Sequence, residues 1–399
     1  MELLFYPFAA LLIWLSIRSF RGGFEYLRYF RKGLSKPESD FTPLASIIAP
    51  CRGIEEGIEE NLSALFTQNY PDYEIVFVVD DPNDPAATVI DQQISKNPQQ
   101  PAKLIVAAEA ITNSQKVANL REAVKHISDE SKAFVFVDSD ARPSPGWLRS
   151  LVAPLADTAV GAATGYRWFV SPDPTLGSEM RSAWNASIAS ALGPKDRSNF
   201  CWGGSTAILR ETFERLSISE RWKVVVSDDF TLTAAINEAG MAIRFVPAAL
   251  TASVGTCTLR AMLEFTTRQL QITRVYAPRL WLASLMGSSI FCGVMIAGFM
   301  IVLLTRPDRP IFIAAAATLA LVTFFSIGKT LLRLKAVRLV LTDYEAQLTR
   351  QAWAQSVLWL VTPAIFWFNS TWALISRRIT WCGTVYELKS ARETVIIAD

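Results

Sequence analysis

Residues 134–142 read FVFVDSDAR, four apolar residues running into Asp138, Ser139 and Asp140. Positions i and i+2 of an extended chain share a face, so both carboxylates point the same way. Two like charges side by side repel. A divalent cation bound between them removes that cost; a solvated Asp–Ser turn is the plain alternative. Two more acidic pairs follow a similar plan. Asp80 and Asp81 end VFVVDDPNDPA, where Pro82 and Asn83 also suit a turn. Asp228 and Asp229 stand in VVVSDDFTLTAAINEAG, before a predicted helix that runs to Gly240. One acid or Ser227 is enough to cap that helix, so the second acid asks for another reason. RQLQITRVY adds Arg268, Gln271 and Arg274, spaced to share one helix face. As an ordered set these residues suit transfer from a nucleoside-diphosphate sugar. One carboxylate would hold the nucleoside, a pair would hold Mg²⁺ or Mn²⁺, and one would take a proton from the acceptor. An arginine would offset charge on the leaving diphosphate.

The elements that must position these groups are legible over residues 44–250. Short β-branched runs (LASIIA, EIVFVV, KLIVAA, AFVFVD, VGAATG) alternate with helical stretches near 55–67, 85–96, 115–127 and 146–154. That alternation predicts an α/β domain with a mostly parallel sheet covered on both faces. Such sheets bind ligands at the carboxyl ends of their strands, where Asp80, Asp81, Asp138 and Asp140 fall. Neither GxGxxG nor GxxxxGK[ST] occurs, which argues against dinucleotide and P-loop chemistry. A net charge of +2 gives no case for a nucleic-acid partner. Five cysteines without CxxC spacing and a single histidine, His126, which reads as a surface residue, argue against zinc sites and histidine triads.

The hydrophobic share is 51%, and it is concentrated in blocks. Residues 1–20 carry an apolar run from Leu3 to Ile17, followed by Arg18, Arg21, Arg28, Arg31 and Lys32. No basic stretch precedes it and no small-residue cleavage site accompanies it, so it reads as an uncleaved anchor with the downstream chain in the cytoplasm. Residues 40–257 then form a cytoplasmic catalytic domain, and 258–280 an amphipathic basic helix lying in the membrane interface. Residues 281–333 read as a transmembrane hairpin joined by TRPDR. Residues 334–376 hold an amphipathic linker and an apolar segment centred on Pro363 with basic residues on both flanks. That charge pattern favours a re-entrant or interfacial bend over a simple span. Residues 377–399 form a tail. The protein is expected in a bacterial inner membrane or its equivalent.

The motifs IIAPCRGIEEGIEENLSALFTQNYPDYEIVFVVDDPNDPA, SQKVANL, VDSD, SDDFTL, the Gln/Arg helix and ITWCGTVYEL resemble the inverting family 2 and family 21 glycosyltransferases. They are most similar to the ceramide glucosyltransferases, over most of residues 44–276 plus the tail. The resemblance implies the GT-A fold, a UDP-sugar donor and a lipid acceptor. It implies Asp81 at the nucleotide, with Asp80 a neighbouring candidate, and Lys116 beside the phosphates. Asp138 and Asp140 match the metal pair; Asp229 matches the catalytic base and Asp228 the acid before it. The family's Gln/Arg motif ends in Arg-Trp. Here Gln271-x-x-Arg274 is followed by Val275, and the other register, Arg268-x-x-Gln271, by Ile272. Arg274 is the preferred partner of the diphosphate, with Gln271 and Arg268 contributing. NFCWGGSTAILR matches the acceptor side, and the tail is expected to return to the active site. A processive polysaccharide synthase and a catalytically silent sugar-nucleotide-binding membrane protein stay open as alternatives.

Overall fold

The structure, a computed structural model, describes residues 2–37 and 39–397. An eight-stranded sheet runs in the order β3-β2-β1-β4-β7-β6-β8-β5. Its strands are β1 (Ala45–Pro50), β2 (Tyr73–Val79), β3 (Ala102–Val106), β4 (Ala133–Val137), β5 (Ala141–Arg142), β6 (Val160–Val170), β7 (Ser205–Leu209) and β8 (Ala242–Val254). β3, β2, β1 and β4 pair in parallel, as do β6 and β8, while β7 and β5 pair antiparallel with their neighbours. The expected α/β architecture with a mostly parallel sheet is present. β2 and β4 are buried at every residue, which is why they read as unbroken apolar runs rather than alternating ones.

Helices cover both faces. α2 (Ile58–Leu65), α3 (Pro85–Lys96), α4 (Gln115–Val124) and α5 (Trp147–Val152) fall where the helical stretches were expected. α3 shows why its boundary was legible: Pro85 opens it, and Asp84 caps it by accepting from Ala86 N at 2.7 Å. α6 (Leu176–Ala189), α7 (Arg210–Arg215), α8 (Ile218–Arg221) and α9 (Asp228–Glu238) complete the domain. One core packs Trp147, Trp168 and Phe77; the other packs Phe134, Phe136 and Trp222 on the opposite face. Trp168 is fully buried, the usual fate of that side chain, and His126 is exposed.

Among the described residues, three helices are long and apolar enough to cross a membrane: Leu4–Leu34, Pro278–Leu304 and Pro310–Val337. The first belongs to α1 (Glu2–Leu34), which runs well past the expected end at residue 20. Its second half packs on α12 (Pro310–Val337), with Gly23 against Leu332 and Phe20 against Phe325 at 5.5 Å. α10 (Leu259–Tyr276) leads through Ala277 into α11 (Pro278–Leu304). α13 (Glu345–Leu358) and α14 (Thr362–Ile375) are bent by 70° to one another. The break lies just before Pro363, which occupies the first turn of α14, where its missing N–H leaves no helical bond unmade. Trp353, Val357 and Ile375 on this pair are exposed apolar groups.

Polar contacts fasten these helices to the domain. Gln351 Oε1 accepts from Trp168 Nε1 at 2.9 Å, and its Nε2 donates to Phe169 O at 2.8 Å. Gln355 accepts from Arg333 at 2.9 Å and donates to Ser182 Oγ at 3.2 Å. The tail forms a second, antiparallel sheet of β9 (Arg378–Trp381), β10 (Thr384–Ser390) and β11 (Glu393–Ile397). Cys382 and Gly383 turn β9 into β10 with φ of 48° and 83°, the left-handed pair that a two-residue hairpin requires.

β6 and β8 are held close by Gly165, at an irregularity in their register between Thr164 and Tyr166. A methyl group there would run into Ala249 O and Ser205 Oγ. Gly165→Ala is expected to cost about 1–3 kcal/mol of stability through overpacking. Thermal unfolding of the full chain checks this, and an unchanged midpoint would mean the two strands spread freely.

Candidate active site

Asp138 stands where β4 ends and Asp80 where β2 ends, with Arg52 beyond the end of β1. The chain order reverses direction at β2-β1-β4, so these carboxyl ends open on a common cleft. α4 and α9 begin in the same place. Ser114 caps α4, accepting from Val117 N at 3.3 Å, and donates to Val226 O at 2.8 Å. Ser227 caps α9, accepting from Phe230 N at 3.2 Å. Two helix starts are thereby stitched side by side, one bringing Lys116 and the other Asp228.

Lys116 Nζ lies 2.6 Å from Asp138 Oδ1 and 3.5 Å from Asp228 Oδ1. Burial alone would pull its ammonium down; Asp138 and Asp228 outweigh that and hold it above the ordinary value. Burial, opposed by Lys116 and reinforced by Asp229 and Asp138, pushes the Asp228 carboxyl up to about 7. Asp229 is half-buried; its Oδ1 accepts from Phe230 N at 2.7 Å and from Ser227 Oγ. Its Oδ2 has no hydrogen-bond partner among the described residues. A methyl group on Gly203 would run into Asp228 Oδ2 and stand 2.9 Å from Lys116 Nζ. One on Gly204 would stand 2.7 Å from Asp138 Oδ2. The paired glycines therefore let the backbone pass against the acids.

Asp140 faces the other wall. Its Oδ2 accepts from Ser253 Oγ at 2.8 Å and Arg167 Nη1 at 3.3 Å, while its Oδ1 is buried without a partner. Glu55 accepts from Ser139 Oγ at 3.3 Å, and burial followed by Asp140 and Asp138 pushes it up to about 7. Asp80 Oδ2 lies 3.5 Å from Arg52 Nη1, and its Oδ1 is also buried and unpartnered. Asp81 turns away: it is exposed, and its Oδ1 accepts from Asn83 N at 2.8 Å in an Asx turn. The structure thus gathers Asp80, Lys116, Asp138, Asp140, Asp228 and Asp229, and leaves Asp81 in solvent.

The Gln/Arg helix divides. Gln271 is buried and donates to Ser376 O at 3.2 Å and Arg378 O at 3.0 Å. Arg274 donates to Ala373 O and lies over the Trp281 ring at 5.6 Å; Arg377 is the charge it feels. Both serve the join between α10, α14 and the tail. Arg268 also touches the tail, donating to Thr380 O at 3.3 Å, and lies 5.8 Å from the Phe265 ring and 5.7 Å from the Trp381 ring. Cys382, next to Trp381, feels Arg52, Arg268, Glu55 and Asp80, so the hairpin tip bridges α10 and the cleft. Arg52, Glu55 and Arg167 were not singled out from the sequence. Arg52 had a signal, its place just past the end of β1; Arg167, within the run VGAATGYRWFV, had none.

A hard divalent cation fits the Asp138–Asp140 wall. The donors are all oxygen, Asp140 Oδ1 is orphaned, and Glu55 is crowded by both carboxylates. Among the described residues no three His, Cys, Asp or Glu side chains gather closely enough to cage an ion. Mg²⁺ and Mn²⁺ suit such an arrangement, since one or two carboxylates with phosphates and water complete the shell.

Asp228 sits above its ordinary value of 3.8, so folding favours the protonated acid. That contribution is full below about pH 4 and is lost as pH rises through about 7. Asp228→Asn is expected to gain stability over the parent as pH rises from about 4 to 7 and to hold a level gap above that. Unfolding midpoints across this range check it; a gap independent of pH would place the Asp228 carboxyl in an ordinary, solvated setting.

The family model for glycosyl transferase family 21 matches residues 17–394. Curated relatives include a ceramide glucosyltransferase of Candida albicans (strain SC5314 / ATCC MYA-2876), 34% identical over 96 residues, covering 20% of this chain and 18% of that protein. Another is the ceramide glucosyltransferase of Komagataella phaffii (strain GS115 / ATCC 20864), 32% identical over 78 residues, covering 20% of this chain and 15% of that protein. The chain spans less than a fifth of either relative's length. Among solved structures, a mannosyltransferase from Pyrobaculum calidifontis in complex with GDP-Man and Mn²⁺ has a TM-score of 0.45 at 19% identity, covering 90% of this chain and 99% of that one. Glucosyl-3-phosphoglycerate synthase from Mycobacterium tuberculosis has a TM-score of 0.36 at 15% identity, covering 58% of this chain and 77% of that one. With the family match running through the sheet, the acid cleft, the apolar helices and the tail, the chain belongs to glycosyl transferase family 21.

Proposed function

We propose that the protein moves one sugar from a UDP-sugar to the hydroxyl of a lipid acceptor, inverting the anomeric centre in a single in-line displacement. The observation that carries this is the meeting of Lys116, Asp138, Asp228 and Asp229 around Gly203 and Gly204, with three helices among the described residues apolar enough to span a membrane. Asp80, beside Arg52, takes the nucleoside in place of the solvent-facing Asp81. Asp138 and Asp140 would hold Mg²⁺ or Mn²⁺, which supplies Lewis-acid charge for the leaving diphosphate when bound. Lys116 adds a charge to the same phosphates.

Asp229 acts as the base. Its Oδ1 is tied to the start of α9, which orients Oδ2 toward the acceptor hydroxyl. Oδ2 takes the proton as the acceptor oxygen bonds to the anomeric carbon; the bond to the diphosphate breaks, and UDP leaves with the electron pair. Asp228 stays behind it as the buried partner of Lys116. Arg268, which meets Cys382 at the hairpin tip together with Glu55 and Asp80, offsets charge on the diphosphate; Gln271 holds the tail on α10 and Arg274 holds α14 there. The basic residues from Arg18 to Lys32 support a cytoplasmic catalytic domain.

Asp229→Asn is expected to lower turnover by about 10²–10⁴-fold while leaving UDP binding intact, since a general base contributes about that much. Transfer of labelled sugar from UDP-glucose, UDP-galactose and UDP-N-acetylglucosamine, with lipid products read by mass spectrometry, checks both reaction and donor. Near-normal turnover removes Asp229 from the role. Arg268→Gln is expected to lower kcat strongly and Arg274→Gln to lower the unfolding midpoint instead; the opposite split would return the diphosphate to Arg274.

A further inference from the structure

Beyond the donor side of the cleft stands a pair of arginines that the transfer chemistry above does not use. Arg167, on β6, and Arg181, on α6, both stack on the Phe169 ring, at 4.9 and 4.2 Å. Arg167 also lies 5.3 Å from the Trp202 ring and 5.2 Å from the Phe265 ring. Among the described residues one carboxylate serves the two: Asp140, 3.3 Å from Arg167. Arg181 makes no ion pair among them and donates to Gly255 O at 2.8 Å. Glu56, the next acid, is taken up by Thr256 N at 2.7 Å. The Nε atoms of both arginines are buried and unpartnered. Two guanidinium groups brought together in an aromatic-walled recess, with two donors idle, are short of one anion. The planar fork of arginine matches a phosphate in two-pronged fashion.

The position of the pair says where that phosphate comes from. Arg181 reaches the backbone at Gly255, next to an open cleft of about 400 Å³ lined by Thr175, Leu176, Gly177, Thr256, Cys257 and Leu259. Leu176 and Leu259, which line it, are exposed apolar side chains. A cleft lined by small and apolar groups, with Arg181 bonded to the backbone at its edge and Arg167 turned to Asp140, fits the polar end of a lipid. The donor's diphosphate would already be met by Lys116, Arg268 and the cation that Asp138 and Asp140 would hold.

We propose that Arg167 and Arg181 form a phosphate subsite for the acceptor, so that the lipid this enzyme glycosylates carries a phosphate-bearing headgroup rather than a neutral one. This rests on the lipid-acceptor reading above and narrows its substrate class. The test uses the full-length protein in neutral maltoside micelles and needs no turnover. Binding of dioctanoyl phosphatidic acid is compared with that of dioctanoylglycerol, and Mn²⁺-UDP binding is measured in parallel. Phosphatidic acid is expected to bind at least about tenfold more tightly than dioctanoylglycerol, and Arg181→Gln to remove that margin. Mn²⁺-UDP affinity is expected to be unchanged in Arg181→Gln, and phosphatidic acid binding unchanged in Arg28→Gln, an exposed arginine on α1. Equal affinity of the unmodified protein for the two lipids overturns the proposal without any variant. So does an Arg181→Gln protein that loses Mn²⁺-UDP and keeps phosphatidic acid, which would give the arginines to the donor. Equal weakening by Arg28→Gln overturns it too, reducing the binding to surface charge. Failure of the unmodified protein to bind Mn²⁺-UDP would count against the acid cleft as a donor site while leaving the lipid comparison readable.

Discussion

A single ammonium group keeps the acids of this cleft together. Lys116 is shared between Asp138, from the end of a parallel strand, and Asp228, from the start of a helix much later in the chain. Without it, Asp138 and Asp228 would face one another with no cation between them, which like charges resist. Much nearby depends on this contact. α4 and α9 must begin side by side, which Ser114 secures through its bond to Val226 O. The backbone facing them must be bare, hence Gly203 and Gly204. Asp229 is then left half-exposed with one oxygen held, the state a proton acceptor needs.

The second constraint is the join between this domain and the apolar helices. It is made by amides and guanidinium groups rather than by apolar packing alone: Gln351 on Trp168 and Phe169, Gln355 on Ser182 and Arg333, Gln271 on the start of the tail. Buried amides of this kind bond in specific directions, so they fix orientation as well as adhesion. β6 is the strand that benefits. Trp168 is gripped from the α13 side while its neighbour Arg167 turns to Asp140, so one strand links the apolar helices to the acid wall.

Periodicity and composition carried far. The parallel strands, the helices between them and the three long apolar stretches follow from local pattern, because burial on two faces leaves an unbroken apolar run and helix caps need particular residues. The length of α1 did not follow: beyond residue 20 its face is mixed, and what keeps it helical is α12, through Gly23 and Phe20. The tail sheet was likewise silent, since what covers its buried face, Ile379, Tyr386 and Leu388, is Val226 and Ile272 from far earlier in the chain.

Within the site, the sequence by itself determined which residue types are available and roughly where: acids at strand ends, a lysine and an acid pair at helix starts, glycines beside them. Only the tertiary structure decided between neighbours. Asp80 and Asp81 are indistinguishable in a string, but successive side chains at a strand end face opposite ways, and Asn83 claims the second. Arg268, Gln271 and Arg274 look like one face at a spacing of three. A turn holds 3.6 residues, so each step drifts by about 60° and the two arginines end about 120° apart, one toward Trp381 and the cleft, the other toward Trp281. Choices of that kind depend on direction, and direction is set by what the far ends of the chain pack against.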